Sequence, residues 1–195
     1  MRDHDALLAE VRSCTLCEPR LPLGARPVLQ LHPAARVLVV SQAPGRRAHE
    51  SGIPFDDLSG ERLREWLGID ARCFYDDRRL AILPMGFCYP GRGKTGDLPP
   101  RPECAPAWRA PLTAHLARIE LTLVIGQYAQ RHQFDGPAVS VTDRVADWRR
   151  YWPAVVPMPH PSPLNCRWLG RNPWFEDEVL PALRERVAQV LGRPA

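Results

Sequence analysis

Lysine is almost missing from this chain. Lys94 stands alone among 26 basic residues, so the other 25 are arginines, and 22 prolines accompany them. Such a bias reflects composition as much as phosphate binding, and the formal net charge of +4 permits a polyanionic partner without requiring one. No apolar run approaches the roughly 18 residues that a membrane-spanning helix needs, so no span and no membrane partner are expected. No apolar secretory segment follows Met1 either, because Arg2, Asp3, His4 and Asp5 come next. Disulfides are therefore not expected, and a soluble, intracellular, cytoplasmic chain is. Internal repeats, linkers and low-complexity tracts are also lacking. One domain over 1–195 with one substantial core, acting as a monomer, is the expectation.

Cysteine is scarce too, yet four of the six are patterned. Cys14 and Cys17 form a C-x-x-C within Cys14-Thr-Leu-Cys-Glu-Pro-Arg20. Cys88 and Cys104 stand 16 positions apart and flank Tyr89 to Glu103, a stretch dense in Pro, Gly and Arg that cannot be a regular helix or central strand. Four thiolates satisfy either zinc or an iron–sulfur cluster. A closed zinc ribbon usually shows two short C-x-x-C hairpins, so the wide second spacing favours a cluster that staples the N-terminal segment to a long loop. Cys73 and Cys166 are read instead as small buried hydrophobes.

Apolar runs at Arg36–Ser41, Leu80–Phe87, Leu121–Gly126 and Ala154–Met158 read as buried strands, the second weakened by Pro84. Helical patterns cover Asp5–Arg12, Ser59–Leu67, Arg101–Ile119, Gln127–Gln133 and Pro173–Leu191, with Ser59 as an N-cap. Strands alternating with helices predict an α/β fold, a three-layer α/β/α sandwich around a central four-stranded parallel sheet. Sites in such sheets form in the loops beyond the strand carboxyl ends. Those loops carry Ser41-Gln-Ala-Pro-Gly45 with Gly52-Ile-Pro-Phe55, then Pro84-Met-Gly-Phe-Cys88, and finally His160-Pro-Ser-Pro-Leu-Asn165 followed by Arg167 and Arg171.

These segments resemble the uracil-DNA glycosylase superfamily, most closely its iron–sulfur branch, family four. That branch has a Gly-Glu-Ala-Pro-Gly loop followed after six residues by Gly-x-Pro-Phe, as Ser41–Gly45 and Gly52–Phe55 are spaced here. Its four cluster cysteines match Cys14, Cys17, Cys88 and Cys104, implying a [4Fe-4S] cofactor, and His160–Leu164 resembles the superfamily's DNA-intercalation loop. The resemblance implies a DNA-repair enzyme that hydrolyses the N-glycosidic bond of a flipped base and works on nucleoid DNA. A glycosylase extrudes its nucleotide, stacks the base, stabilises charge on it and positions water at C1′. In that scheme Phe55 stacks the base and His160 donates to its carbonyl oxygen. Ala43, Pro84 and Met85 line the base pocket. Leu164 wedges into the gap left in the duplex. Ser59, Ser162 and the Gly60 amide reach phosphates, with Arg167 and Arg171 on the backbone.

Two positions depart from the family's pattern. The family's loop glutamate, which helps activate water, is replaced by Gln42, and the asparagine that reads uracil is replaced by Pro84. Losing a bidentate base reader relaxes or redirects specificity by about 1–3 kcal/mol. His49, Glu50, Asp56 and Asp57 lie close enough in sequence to serve as the missing base. Three readings follow: a glycosylase for uracil or another deaminated base, a weak or inactive relative that binds damaged or single-stranded DNA, and an enzyme for free nucleosides or nucleotides. Leu164 with Arg167 and Arg171 favours a polymer, whereas Gln42 favours the inactive relative.

Overall fold

In the computed structural model, which describes residues 3–192, the chain runs α1 (His4–Arg12), β1 (Val37–Val40), α2 (Arg46–Ser51), α3 (Leu58–Leu67), α4 (Ala71–Phe74) and β2 (Leu80–Ile82). It continues through α5 (Cys104–Thr113), β3 (Leu121–Ile125), α6 (Gly126–Gln133), α7 (Val141–Ala146), β4 (Val155–Met158), α8 (Cys166–Arg171) and α9 (Leu180–Leu191). The four strands form one all-parallel sheet in the order β2-β1-β3-β4, with Val39 paired to Ile82 on one side and Leu123 on the other. This is the α/β architecture that the alternating pattern predicts.

All four residues of β1 are buried, as an all-parallel sheet covered on both faces requires. Period-two geometry splits them between two cores. Val37 and Val39 join Leu63, Leu67, Phe175 and Leu183, so α3 and α9 cover one face. Leu38 and Val40 join Leu7, Val11 and Leu112, so α1 and α5 cover the other. Each fully buried side chain of this size contributes about 1.5–3 kcal/mol.

Element ends follow local chemistry, and several differ from expectation. The N-cap of α3 is Asp57, not Ser59: its side chain accepts from the Gly60 amide at 3.0 Å, and Gly68 closes the helix at φ 64°. Strand β2 ends at Ile82 rather than Phe87, although Leu83 and Met85 still donate to the Val39 and Ser41 carbonyls beyond it. The helix expected over Arg101–Ile119 spans only Cys104–Thr113 and carries Pro111. Pro173–Leu191 divides into a wider π turn, Phe175–Val179, followed by α9. Cys73 is buried as expected, but Cys166 is exposed at the start of α8. No helix among the described residues is long and apolar enough to cross a membrane.

Candidate active site

The order β2-β1-β3-β4 places consecutive strands on opposite sides of β1, and ligand crevices open at such a reversal. An open cleft of about 510 Å³ lies there. Its walls come from the loops after all four strands: Gln42 and Ala43 after β1, Pro84 after β2, Gln127 after β3, and His160, Ser162 and Leu164 after β4. Phe55, Asp57 and Ser59 close one side, and Arg92, Thr95 and Asp97 another. The structure thus brings Phe55, His160, Gln42, Ala43, Pro84, Ser59, Ser162 and Leu164 around one space. Met85 is not among them: it is buried in the core with Leu83 and Phe87.

Phe55 has a backbone φ of 56°, a left-handed conformation that side-chain-bearing residues avoid at a cost of order 1–3 kcal/mol. The surroundings impose it. The Tyr75 hydroxyl donates to the Phe55 carbonyl at 3.3 Å, and the ring meets Phe74 edge-to-face at 6.1 Å. Gly60 sits so close that a Cβ there would fall 1.8 Å from the Phe55 oxygen, which makes glycine obligatory at that position. Its amide is buried and committed to Asp57, so the expected Gly60 phosphate contact is replaced by a structural one. Half-buried Phe55 borders the cleft.

His160 follows β4. The Ser162 amide donates to its Nδ1 at 3.2 Å, so in the neutral ring Nε2 carries the proton. Nε2 has no hydrogen-bond partner among the described residues and is free to donate into the cleft. Burial holds the ring's pKa below the ordinary histidine value, against the opposing pull of Asp57. The ring therefore stays neutral at physiological pH and serves as a hydrogen-bond donor. Its loop is pinned from two sides: Asn165 Nδ2 donates to the His160 carbonyl at 2.8 Å, and the Arg62 guanidinium donates to the Ser162 carbonyl at 3.1 Å. Arg62 is a support that its place in a helical stretch did not reveal. At the loop tip Leu164 is 75% exposed, so it does not pack beneath the loop. Arg167 and Arg171 are exposed on α8, outside the cleft wall, and neither forms an ion pair among the described residues.

Of the four candidates near the first loop for the missing base, three are otherwise placed. His49 is buried and its Nδ1 accepts from the Tyr89 amide, Glu50 pairs with Arg46 at 2.7 Å, and Asp56 does not reach the cleft wall. Asp57 does reach it, with one oxygen capping α3. A second cleft carboxylate, Asp97, was not anticipated. It lies in the Gly/Arg-rich stretch whose composition announces turns but not which surface they cover. Gln42 lines the cleft and donates through Nε2 to the Leu98 carbonyl at 3.2 Å.

The patterned cysteines meet elsewhere. Cys14, Cys17, Cys88 and Cys104 line one small cavity of about 20 Å³, together with Leu16, Leu21, Phe87 and Trp108. Among the described residues, no three His, Cys, Asp or Glu side chains converge tightly enough to hold a single metal ion. The sulfurs are nevertheless furnished with donors: Trp108 Nε1–H reaches Cys14 Sγ at 3.3 Å and the Phe87 amide reaches Cys104 Sγ at 3.4 Å. Burial pushes Cys88 up to about 11 and Cys104 up to about 12, reinforced by the neighbouring sulfurs, so metal-free they are thiols. A bound cation would reverse that by ionising them. Four sulfurs with N–H donors among apolar walls are a donor set of the kind that thiolate-held metal groups use. Arg20 pairs with Glu103, which Arg101 also contacts at 3.2 Å, so the N-terminal turn is tied to the segment leading into α5.

An aromatic ring, a neutral imidazole donor and two carboxylates around an open cleft can hold a planar base, polarise its carbonyl and activate water. Residues 30–184 match the family model of the Uracil DNA glycosylase superfamily, a stretch that includes all four strands and every cleft-lining loop. Cys14 and Cys17 precede it. The chain belongs to the uracil DNA glycosylase superfamily.

Proposed function

We propose that this protein is a DNA glycosylase that hydrolyses the N-glycosidic bond of a flipped uracil or another deaminated base. The observation that carries this reading is the pairing of Phe55 with the Nε2–H of His160 across one cleft, backed by superfamily membership. Phe55 stacks the extruded base, and His160 donates to the carbonyl oxygen on which charge develops as the bond breaks, a role worth roughly 10²–10³ in rate for a single donor. Leu164, exposed at the rim, occupies the gap the base leaves. Ser59 and Ser162 border the cleft as phosphate contacts, and Arg167 and Arg171 extend the backbone grip along α8. Pro84 offers no side-chain hydrogen bond where a base-reading amide is expected, which favours relaxed choice among deaminated bases.

Cys14, Cys17, Cys88 and Cys104 are the residues that would hold a [4Fe-4S] cluster, as in the family-four branch that the chain resembles. Such a group supplies a cross-link between the N-terminal turn and the loop before α5. Excision is tested with duplex and single-stranded oligonucleotides carrying one uracil, hypoxanthine, xanthine, oxidised or mismatched base, scored for abasic sites. Release of at least one deaminated base is expected. Tight binding without any release would favour the inactive relative, for which Gln42 is the supporting residue.

A further inference from the structure

We propose that Asp97, carried on a hairpin over the cleft, is the general base that activates water, in place of the acid absent at Gln42; this rests on the glycosylase reading above. The hairpin is closed by its own backbone. Gly93 N–H donates to the Gly96 carbonyl at 2.7 Å, Leu98 N–H donates to the Gly91 carbonyl at 2.8 Å, and Arg92 and Asp97 form an antiparallel bridge. It is tied to the first cleft loop by Gln42 itself, through the 3.2 Å bond to the Leu98 carbonyl. The residue that lacks the acid therefore positions the segment that brings one.

Asp97 reaches the loop it would serve. A Cβ at Gly45 would lie 3.3 Å from Asp57 Oδ2 and 3.7 Å from Asp97 Oδ2, so both carboxylates face the same turn after β1. Asp57 is committed through Oδ1 to the α3 amide, whereas Asp97 has no hydrogen bond to its carboxylate among the described residues. Burial raises the pKa of Asp97, Arg92 lowers it and Asp57 raises it further, and Tyr89 also faces the carboxylate. A carboxylate raised in this way is a better proton acceptor than an ordinary one.

The step balances without a further reactant. The C1′–N bond breaks and its electron pair goes to the base, where His160 Nε2–H steadies the charge on the carbonyl oxygen. Water oxygen bonds to C1′, and the proton it releases passes to the Asp97 carboxylate. Asp97 then returns that proton to solvent, and the departing base takes one up.

The test is single-turnover base release by the whole protein on its best lesion, alongside binding to abasic duplex. Asp97→Asn should lower the rate at least a hundredfold, the span general bases contribute, with abasic binding and melting unchanged. Asp97→Glu should restore part of the rate. Gln42→Ala should cost about tenfold in wild type and almost nothing in the Asp97→Asn background, the coupling expected if it acts through Asp97. A rate for Asp97→Asn within threefold of wild type overturns the assignment and leaves the glycosylase reading standing. Wild type releasing no base from any lesion overturns both.

Discussion

The thiol-lined cavity and the open cleft share one connecting segment, yet they are built on opposite principles. Pro84, at its start, lines the cleft; Cys88 and Cys104 line the cavity; and the hairpin between those cysteines returns to the cleft. Apolar walls and N–H donors to sulfur make the cavity a place that holds the chain together. The cleft is polar and open, and it tolerates a left-handed Phe55 and an imidazole whose Nε2 has no partner among the described residues. The left-handed Phe55 thus lies where a ligand would bind, while the N–H donors of Trp108 and Phe87 tie the sulfurs of the cavity to their surroundings.

The comparison breaks most visibly at the cavity. Protein made under iron-sufficient conditions and purified anaerobically should be brown, absorb broadly near 400 nm and contain about four irons per chain. Cys88→Ala should abolish the colour and cost about 4 kcal/mol of stability or more, the class that loss of a metal centre belongs to. Stoichiometric zinc without iron would reassign the cavity.

The cleft should respond in the opposite sense. His160→Ala should slow base release by about 10²–10³ while moving the melting temperature little. Acid supplies a second route to the same group. The folded ring's pKa lies below the ordinary value of 6.5, so the unfolded chain takes up this proton first as pH falls. The ring's contribution to stability is complete above that value and is lost as pH drops through the folded pKa. Base release and melting should both decline as pH falls below 6.5 through the folded pKa of the ring, measured in buffers of equal ionic strength. A rate that rises on acidification would mean that imidazolium is the working form.

The smallest effect belongs to the rim. Leu164→Ala should weaken binding to abasic duplex by about 1–2 kcal/mol and leave intact duplex nearly unaffected, since only an extruded base opens a gap to fill. Charge reversal at Arg167 or Arg171 should weaken both duplexes alike and reduce the salt dependence of binding. Equal losses for all three substitutions would recast Leu164 as part of the backbone grip.

The apolar runs made the sheet legible because a doubly covered parallel strand needs side chains such as Val37 to Val40 and little else. The first-loop and last-loop residues of the cleft were legible for a related reason: parallel strands all deliver their carboxyl ends to one edge. Asp97 was not. Its position depends on a hairpin whose register is set by Gly91, Gly93 and Gly96 and whose placement is set by Gln42, 55 positions earlier in the chain. Composition marks such a segment as irregular without saying where it lands. Met85 misled in the opposite way, because Gly86 carries its amide back to the Gln42 carbonyl at 3.0 Å and the turn points Met85 into the core. Arg62 was hidden because a helical arginine looks like any solvated charge until its carbonyl partners are known.

The fifteen residues between Cys88 and Cys104 form a tether anchored at both ends in one cavity. Its reach is then a matter of contour length. Closing a loop of this size costs entropy that grows only slowly with added residues, so the anchors would hold a slightly longer tether nearly as well. The carboxylate at its tip would not keep its place so easily, because slack of one or two residues is comparable to the distance over which a proton is passed. Inserting one or two residues between the anchors is therefore expected to displace Asp97 while leaving both cysteines in the cavity.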